Sequence, residues 1–365
     1  MEEISLDVVN DRWTSVEAAV DATPGIDPWC SGPDWLIPVT LGFAPTADHL
    51  LLATDDDDGY ALFARYRTAT GVPMLGGLEP LWGFGCPVIG QDTRAIADGT
   101  AEVLAGRSLQ EWRLLYLPGL PPIGHPDRDD PESGADEAAA TDIDRPITSE
   151  DPDEDSNEEP IGLPPVVRQL ATALSRVGRV RLGTGITRQV ADLGDGHDAW
   201  LARRSPRFRR NLRQAEARAE AAGLQIIDVS DDPELYPRIL AMEHASWKGR
   251  EGSGITTPEM AAMYRMMIDR LQARGRLHAH LARLDGRDVG YILGGIRGRR
   301  YRGLQISYTD PARRLSVGNL LQRHQLTELH RQDLADVYDL GMDFDYKRRW
   351  ADRAEPSTVL LVERL

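Results

Sequence analysis

Between Arg300 and Trp350 the chain reads as strand, tight loop, helix, strand and loop, and the step from loop to helix constrains the fold more than any other stretch. The loop is small and basic, Arg313-Arg314-Leu315-Ser316-Val317-Gly318, and helical sequence starts at once with Asn319-Leu320-Leu321. A helix start presents unpaired backbone N–H groups and the positive end of the helix dipole, which suits a phosphate or pyrophosphate. Arginine beside it adds charge, and Ser316 and Gly318 let a ligand come close to the backbone. Ser316 could also serve as an ordinary N-cap.

Length suggests two domains of ordinary size. The acidic N-terminus, MEEISLDVVNDRW, has no apolar core of the signal-peptide kind, and no run approaches the ~20 apolar residues that span a bilayer. Two cysteines, Cys30 and Cys86, give neither a disulfide framework nor metal-ligand spacing. The simplest reading is a reduced cytoplasmic protein. The net charge of −16 is concentrated, because Asp127 to Glu159 holds fifteen acids against two arginines. From Trp200 onward, basic residues outnumber acids by 29 to 22, so this half can attract anionic ligands such as CoA, nucleotides or tRNA. Lys248 and Lys347 are the only two lysines, which draws notice to both, although Lys248 could be a solvated surface lysine.

In chain order, SLDVV reads as a short strand before a short helix, and Pro28 to Leu41 as an aromatic cluster around a Gly-Pro turn. His49 to Arg67 reads as a hairpin turning at Asp55–Gly59. GGLEPLWGFGCPVIG reads as a glycine-rich loop or kinked strand, either lining an acceptor cleft or forming a buried turn. A helix over Asp92–Leu104 and a strand over Glu111–Leu117 follow. Pro118 to Pro160 has almost no large apolar residues and reads as a disordered acidic insertion, either a solvated loop or a regulatory tail. These elements, a helix over Pro164–Val177 and two short strands make a first domain, residues 1–195. The second, 196–365, opens with a helix over Asp198–Ala222 whose RRSPRFRRNLR core is a solvated face or a phosphate or substrate contact. It continues with strand LQIIDVS, two helices, a hairpin turning at Asp285-Gly286, strand Tyr301–Tyr308, helix Ser316–His330, DVYDLG and a last strand, STVLLVERL.

The spacing Arg313-x-x-Ser316-x-Gly318 resembles the pyrophosphate loop of the GNAT acyltransferases, Arg/Gln-x-x-Gly-x-Gly/Ala, with serine at the middle glycine. From Phe208 to Trp350, the pieces FRRNLRQAEARAEAAGL, ASWKGREGSG, the Asp-Gly hairpin, YTDPARRLSVGNLL and YDLGMDFDYKRRWAD come in the order of the FemAB/CelD-like branch of that family. The resemblance implies a mixed α/β fold of two fused GNAT-like domains, each a mostly antiparallel central sheet flanked by helices. It also implies acyl transfer from a thioester, most often acyl-CoA, to an amine or hydroxyl, without a permanently bound cofactor.

The implied donor contacts are Ile306 and Tyr308 of the splayed strand and Arg313, Arg314, Ser316, Val317, Gly318 and Asn319 of the loop. Tyr346 could protonate the leaving thiolate, Asp339 or Asp310 could act as base, and Lys347 could stabilise negative charge or hold an anionic acceptor. Trp247, Lys248, Arg207 and Arg210 are the candidate acceptor contacts. His278-x-His280 supplies only two ligands on one strand face, so no metal site is expected. The expected partners are acyl-CoA and a small-molecule, sugar or cell-envelope acceptor, not DNA. Two other readings stay open: an aminoacyl-tRNA-dependent FemAB-type ligase, and a non-catalytic GNAT scaffold.

Overall fold

The computed structural model describes residues 1–45, 47–79, 81–124, 162–250, 252 and 254–364. Residues 125–160, the body of the expected acidic insertion, lie outside the described residues. The chain forms two compact units, one of Met1–Thr40, Pro45–Ile186 and Pro356–Leu365, the other of Leu41–Ala44 and Thr187–Glu355. The main crossing thus falls at Ile186/Thr187 instead of Asp195/Gly196, because Arg188–Asp192 already pairs within the second sheet.

The strands are β1 (Glu2–Ile4), β2 (His49–Ala53), β3 (Gly59–Arg67), β4 (Pro73–Gly77), β5 (Val88–Gly90), β6 (Leu114–Leu120) and β7 (Arg179–Thr184). They continue as β8 (Arg188–Asp192), β9 (Gln225–Asp228), β10 (Leu277–Leu284), β11 (Arg287–Arg297), β12 (Arg300–Tyr308), β13 (Val337–Met342), β14 (Arg353–Glu355) and β15 (Thr358–Glu363). The first sheet has the order β1-β2-β3-β4-β6-β15-β7, with β5 also on β3. The second has β9-β10-β11-β12-β13-β8-β14. Position by position, the pairings agree in sense: all are antiparallel except the fourth, β4 with β6 and β12 with β13. The same succession of pairing senses is therefore repeated in the two sheets.

Local chemistry explains most element ends. Asp285 and Gly286 both have positive φ, 51° and 75°, the conformation of a tight hairpin turn between β10 and β11. Thr257 caps the helix Pro258–Ala273 through Met260 N. The single helix expected over Asp198–Ala222 is two, His197–Ala202 and Pro206–Ala221, because Ser205 caps the second by accepting from Phe208 N and Pro206 opens its first turn. Likewise SLDVV is no strand: Ser5 accepts from Val8 N and starts the helix Leu6–Asp11.

In the second unit, Trp200 stacks on Trp350 at 5.7 Å and packs with Phe208, Leu212, Leu326 and Leu329. Helix Val317–Arg331 covers β10, β11 and β12. Among the described residues no helix is long and apolar enough to cross a membrane. The last strand, expected in the second domain, is an inner strand of the first sheet, bonded to β6 on one side and β7 on the other. Ending the chain at Glu355 should therefore abolish cooperative folding of the first unit; calorimetry should show its unfolding transition lost, not merely shifted.

Candidate active site

The site is built where β12 and β13 part. Their parallel pairing covers only Arg300–Arg302 against Val337–Asp339, although β12 runs on to Tyr308 and β13 to Met342. Leu293 pairs with Gln305 but Gly294 with Gly303, so Leu304 is an extra residue, a bulge that bends β12 just beyond its last β13 partner. Thr309 N donates to Val289 O, so by strand alternation the polar groups of Leu304, Ile306 and Tyr308 face away from β11, toward the opening.

The base of the opening is a buried charge cluster. Asp339 has no exposed surface. It meets Arg188 at 2.5 Å, Arg302 at 2.8 Å and Arg300 at 3.4 Å, and accepts from Gly341 N at 2.8 Å. Burial alone would raise its carboxyl pKa. The guanidiniums of Arg302, Arg188 and Arg300 outweigh that and hold it well below the usual range. A carboxylate held this way is a poor proton acceptor, so the expectation that Asp339 acts as base gives way to a structural role. Asp310 is exposed and paired with Arg250 at 2.8 Å.

Both lysines belong to the opening. Lys248 is not a solvated surface lysine: its Nζ donates to Gln305 Oε1 at 2.8 Å and Ile306 O at 2.9 Å. Burial lowers its pKa, with Glu243 acting against the shift. Ile306 N also donates to Gln305 Oε1, at 3.2 Å, and Tyr264 OH donates to Leu304 O. Lys347 is pushed down to about 8, first by burial, then by the charge of Arg302, with Asp339 opposing and Lys248 lowering it further. Tyr346 is half exposed and stacks on Phe344 at 6.2 Å and 9°; burial raises its phenol, which stays protonated at neutral pH. The Trp247 side chain lies outside the described residues.

Glu243 escaped the sequence reading. It is fully buried, accepts from Tyr291 OH at 3.1 Å, and its Oε1 has no hydrogen-bond partner among the described residues. The signal was present: Leu235, Ile239, Met242 and Glu243 form the buried stripe of one helix, and a carboxylate on that stripe needs an explanation. Gly254 is required beside it, since an added Cβ would lie 2.3 Å from Glu243 Oε1.

At the mouth, the fifteen-residue helix Val317–Arg331 begins without a side-chain cap. Ser316, at φ 57°, is left-handed, where a non-glycine residue costs roughly 1–2 kcal/mol, so it is not the N-cap of ordinary geometry. Gly318 N–H has no acceptor among the described residues. Arg313 and Arg314 beside it are exposed and form no ion pair among the described residues, and Asn319 is exposed on the first turn. The Tyr308 ring lies on Gly318, where an added Cβ would approach it to 2.8 Å. Arg207 and Arg210 are not brought to this place. Helix Pro206–Ala221 runs antiparallel to Val317–Arg331, its Ala215 and Ala219 beside Leu320 and its Phe208 and Leu212 beside Leu326 and Leu329. That puts both arginines, exposed, near the far end of a helix about 22 Å long.

The first unit has the same divergence after Gly76/Tyr116, but it is filled. Glu79 folds back and accepts from the N–H groups of Trp82, Gly83, Phe84 and Gly85 at 2.5, 2.8, 2.9 and 3.3 Å. The loop then packs on β6 so closely that a Cβ on Gly119 would lie 2.4 Å from Phe84 O. A cavity of about 230 Å³ remains beside it, lined by Glu79, Trp82, Tyr116 and Ile186 among others. The helix Thr93–Ala105 is capped by Asp92, which accepts from Ala95 N at 2.9 Å, so a carboxylate already sits where an anion would bind.

Residues 206–348 match the family described as acetyltransferase (GNAT) domain. The match falls wholly inside the second unit and contains the opening, the loop and both lysines. Over the full chain the fold is similar to that of FemX, with a TM-score of 0.59, 12% identity, and coverage of 100% of this chain and 97% of that one. This is a two-domain GNAT fold of the FemAB-like kind. A conserved protein of unknown function from Bacteroides thetaiotaomicron VPI-5482 shares it too, at TM-score 0.59, 10% identity, and coverage of 100% and 99%. No match is found among curated protein sequences.

Within this GNAT domain, Asp339→Asn would keep the shape but remove the buried carboxylate that three guanidiniums share, with Arg188 and Arg300 still on Glu355. Urea denaturation should show a loss of about 3–5 kcal/mol.

Proposed function

We propose that the second unit transfers an acyl group from acyl-CoA to an amine or hydroxyl of a small molecule, sugar or cell-envelope precursor. The observation that carries this is a contrast between like positions. After β12 comes an uncapped helix start flanked by two exposed arginines, whereas after β4 the cleft is filled and the helix start is capped by Asp92. Only the former suits a pyrophosphate.

In this reading the pyrophosphate meets the loop of Arg313, Arg314, Ser316, Val317, Gly318 and Asn319. The pantetheine arm lies along Ile306 and Tyr308 in the opening. The acceptor nitrogen or oxygen attacks the thioester carbon; a C–N or C–O bond forms and the C–S bond breaks. Tyr346 supplies the proton taken up by the departing thiolate and recovers one from solvent, while the acceptor's own proton leaves to water. Lys248 fixes the splayed strand through Ile306 O, and Lys347 lends the cleft positive charge.

Calorimetry of the full chain with acetyl-CoA and with a longer acyl-CoA tests this. Binding is expected, and Arg313→Glu with Arg314→Glu, both exposed, should weaken it at least tenfold without lowering Tm. Failure of the folded parent to bind either thioester would remove the acyl-CoA reading and leave a tRNA donor or a non-catalytic scaffold. A second reading, an aminoacyl-tRNA donor, is supported by the exposed arginines Arg207, Arg210 and Arg213 on one helix. Steeply salt-dependent tRNA binding, reduced by charge reversal there, would favour it.

A further inference from the structure

One cation of the opening is met by no anion among the described residues. Lys347 Nζ has no hydrogen-bond acceptor or ion-pair partner among the described residues; it lies 5.0 Å from the centre of the Phe344 ring and 5.8 Å from that of Tyr346. The nearby acids are engaged elsewhere. Asp339 is held by three arginines, Glu355 by Arg188 and Arg300, and Asp343 by both ends of the Arg348 fork at 2.9 and 2.8 Å. The groups facing Lys347 are Arg302 on β12, Lys248 on the short helix Trp247–Arg250, Asp339 on β13 and Asp343 just after it. Two of the four are cations, and the two acids are already paired.

Gly341, at φ 79°, keeps the space between two of these cations open. A Cβ there would lie 3.5 Å from Lys347 Nζ and 3.6 Å from Arg302 Nη2. Above it, Phe344 and Tyr346, each half exposed, present a stacked pair of rings. A cation without an anion, beside a bare glycine and next to two exposed flat rings, fits a planar anion joined to a flat body.

We propose that the acyl acceptor carries a carboxylate, which Lys347 holds over Gly341, and a flat ring or planar group that rests on Phe344 and Tyr346. This rests on the acyltransferase reading above and narrows it to anionic, ring-bearing acceptors. It explains why a lysine is kept where only aromatic faces, and no anion or hydrogen-bond acceptor of the described residues, meet it.

The test uses twin probes without an ionisable amine, on the full chain with CoA present: 3-phenylpropanoate, 3-phenylpropan-1-ol and propanoate. The phenylpropanoate is expected to bind at least tenfold more tightly than either twin. Lys347→Met should bring the acid-to-alcohol ratio near one, and Lys347→Arg should keep most of it. Because Lys347 is charged below about pH 8 and neutral above it, the acid's affinity should fall as pH rises from 7 to 9 while the alcohol's does not. Equal binding of acid and alcohol, no binding of either, or a ratio unchanged in a folded Lys347→Met variant would overturn the proposal. Acetyl-CoA binding, measured separately, tells that failure from failure of the acyltransferase reading: with the thioester bound, only the acceptor proposal falls.

Discussion

The opening between β12 and β13 depends on one buried ion cluster. Arg302 and Asp339 are the last register partners of β12 and β13, and their side chains meet where the two strands separate. Arg188 from β8 and Arg300 from β12 close around the same carboxylate. Burying these charges is costly, and their mutual attraction offsets the cost only while every partner is in place. The cluster thus fixes the point of divergence, and the bulge at Leu304 and the Lys248 bond to Ile306 O set its direction. Burial lowers the Lys347 pKa, and Arg302 of the cluster adds to that while Asp339 opposes it, so the cluster also bears on the charge in the opening.

The two units show what the fold alone does not decide. Both sheets have the same order over their first five strands and the same single parallel pair, and both have a helix after the fourth strand position. In the first, a loop from β4 to β5 occupies the divergence, and its buried glutamate satisfies four backbone donors. In the second, the strand edge beyond the divergence is met by side chains, Lys248 at Ile306 O and Tyr264 at Leu304 O. A site is therefore a matter of what the local loops leave unfilled, on a scaffold common to both halves.

Much of this was legible locally. The Asp-Gly hairpin, the Thr257-Pro258 cap, the loop before Asn319 and the scarcity of lysine all follow from short-range chemistry. What escaped depends on distant partners. STVLLVERL reads as a strand, but alternation says nothing about which sheet receives it. Asp339 looks like a base at a strand end until Arg188, 151 residues away, is seen on the same carboxylate. Arg207 and Arg210 form a conspicuous basic run, yet the direction in which their helix packs carries them away from the loop. Glu243 was readable in principle, as a carboxylate on an apolar helical stripe, and shows that a violated pattern marks a site as well as a motif does.

In the proposed reading the donor binds at the divergence of β12 and β13 and not at its counterpart in the first unit. Hydrogen exchange of the full chain with and without acetyl-CoA separates the two places. Protection is expected at residues 304–308 and 313–320, with none at the start of the helix Thr93–Ala105. Protection at residues 92–97 without change at 313–320, or no change anywhere at saturating thioester, would contradict it.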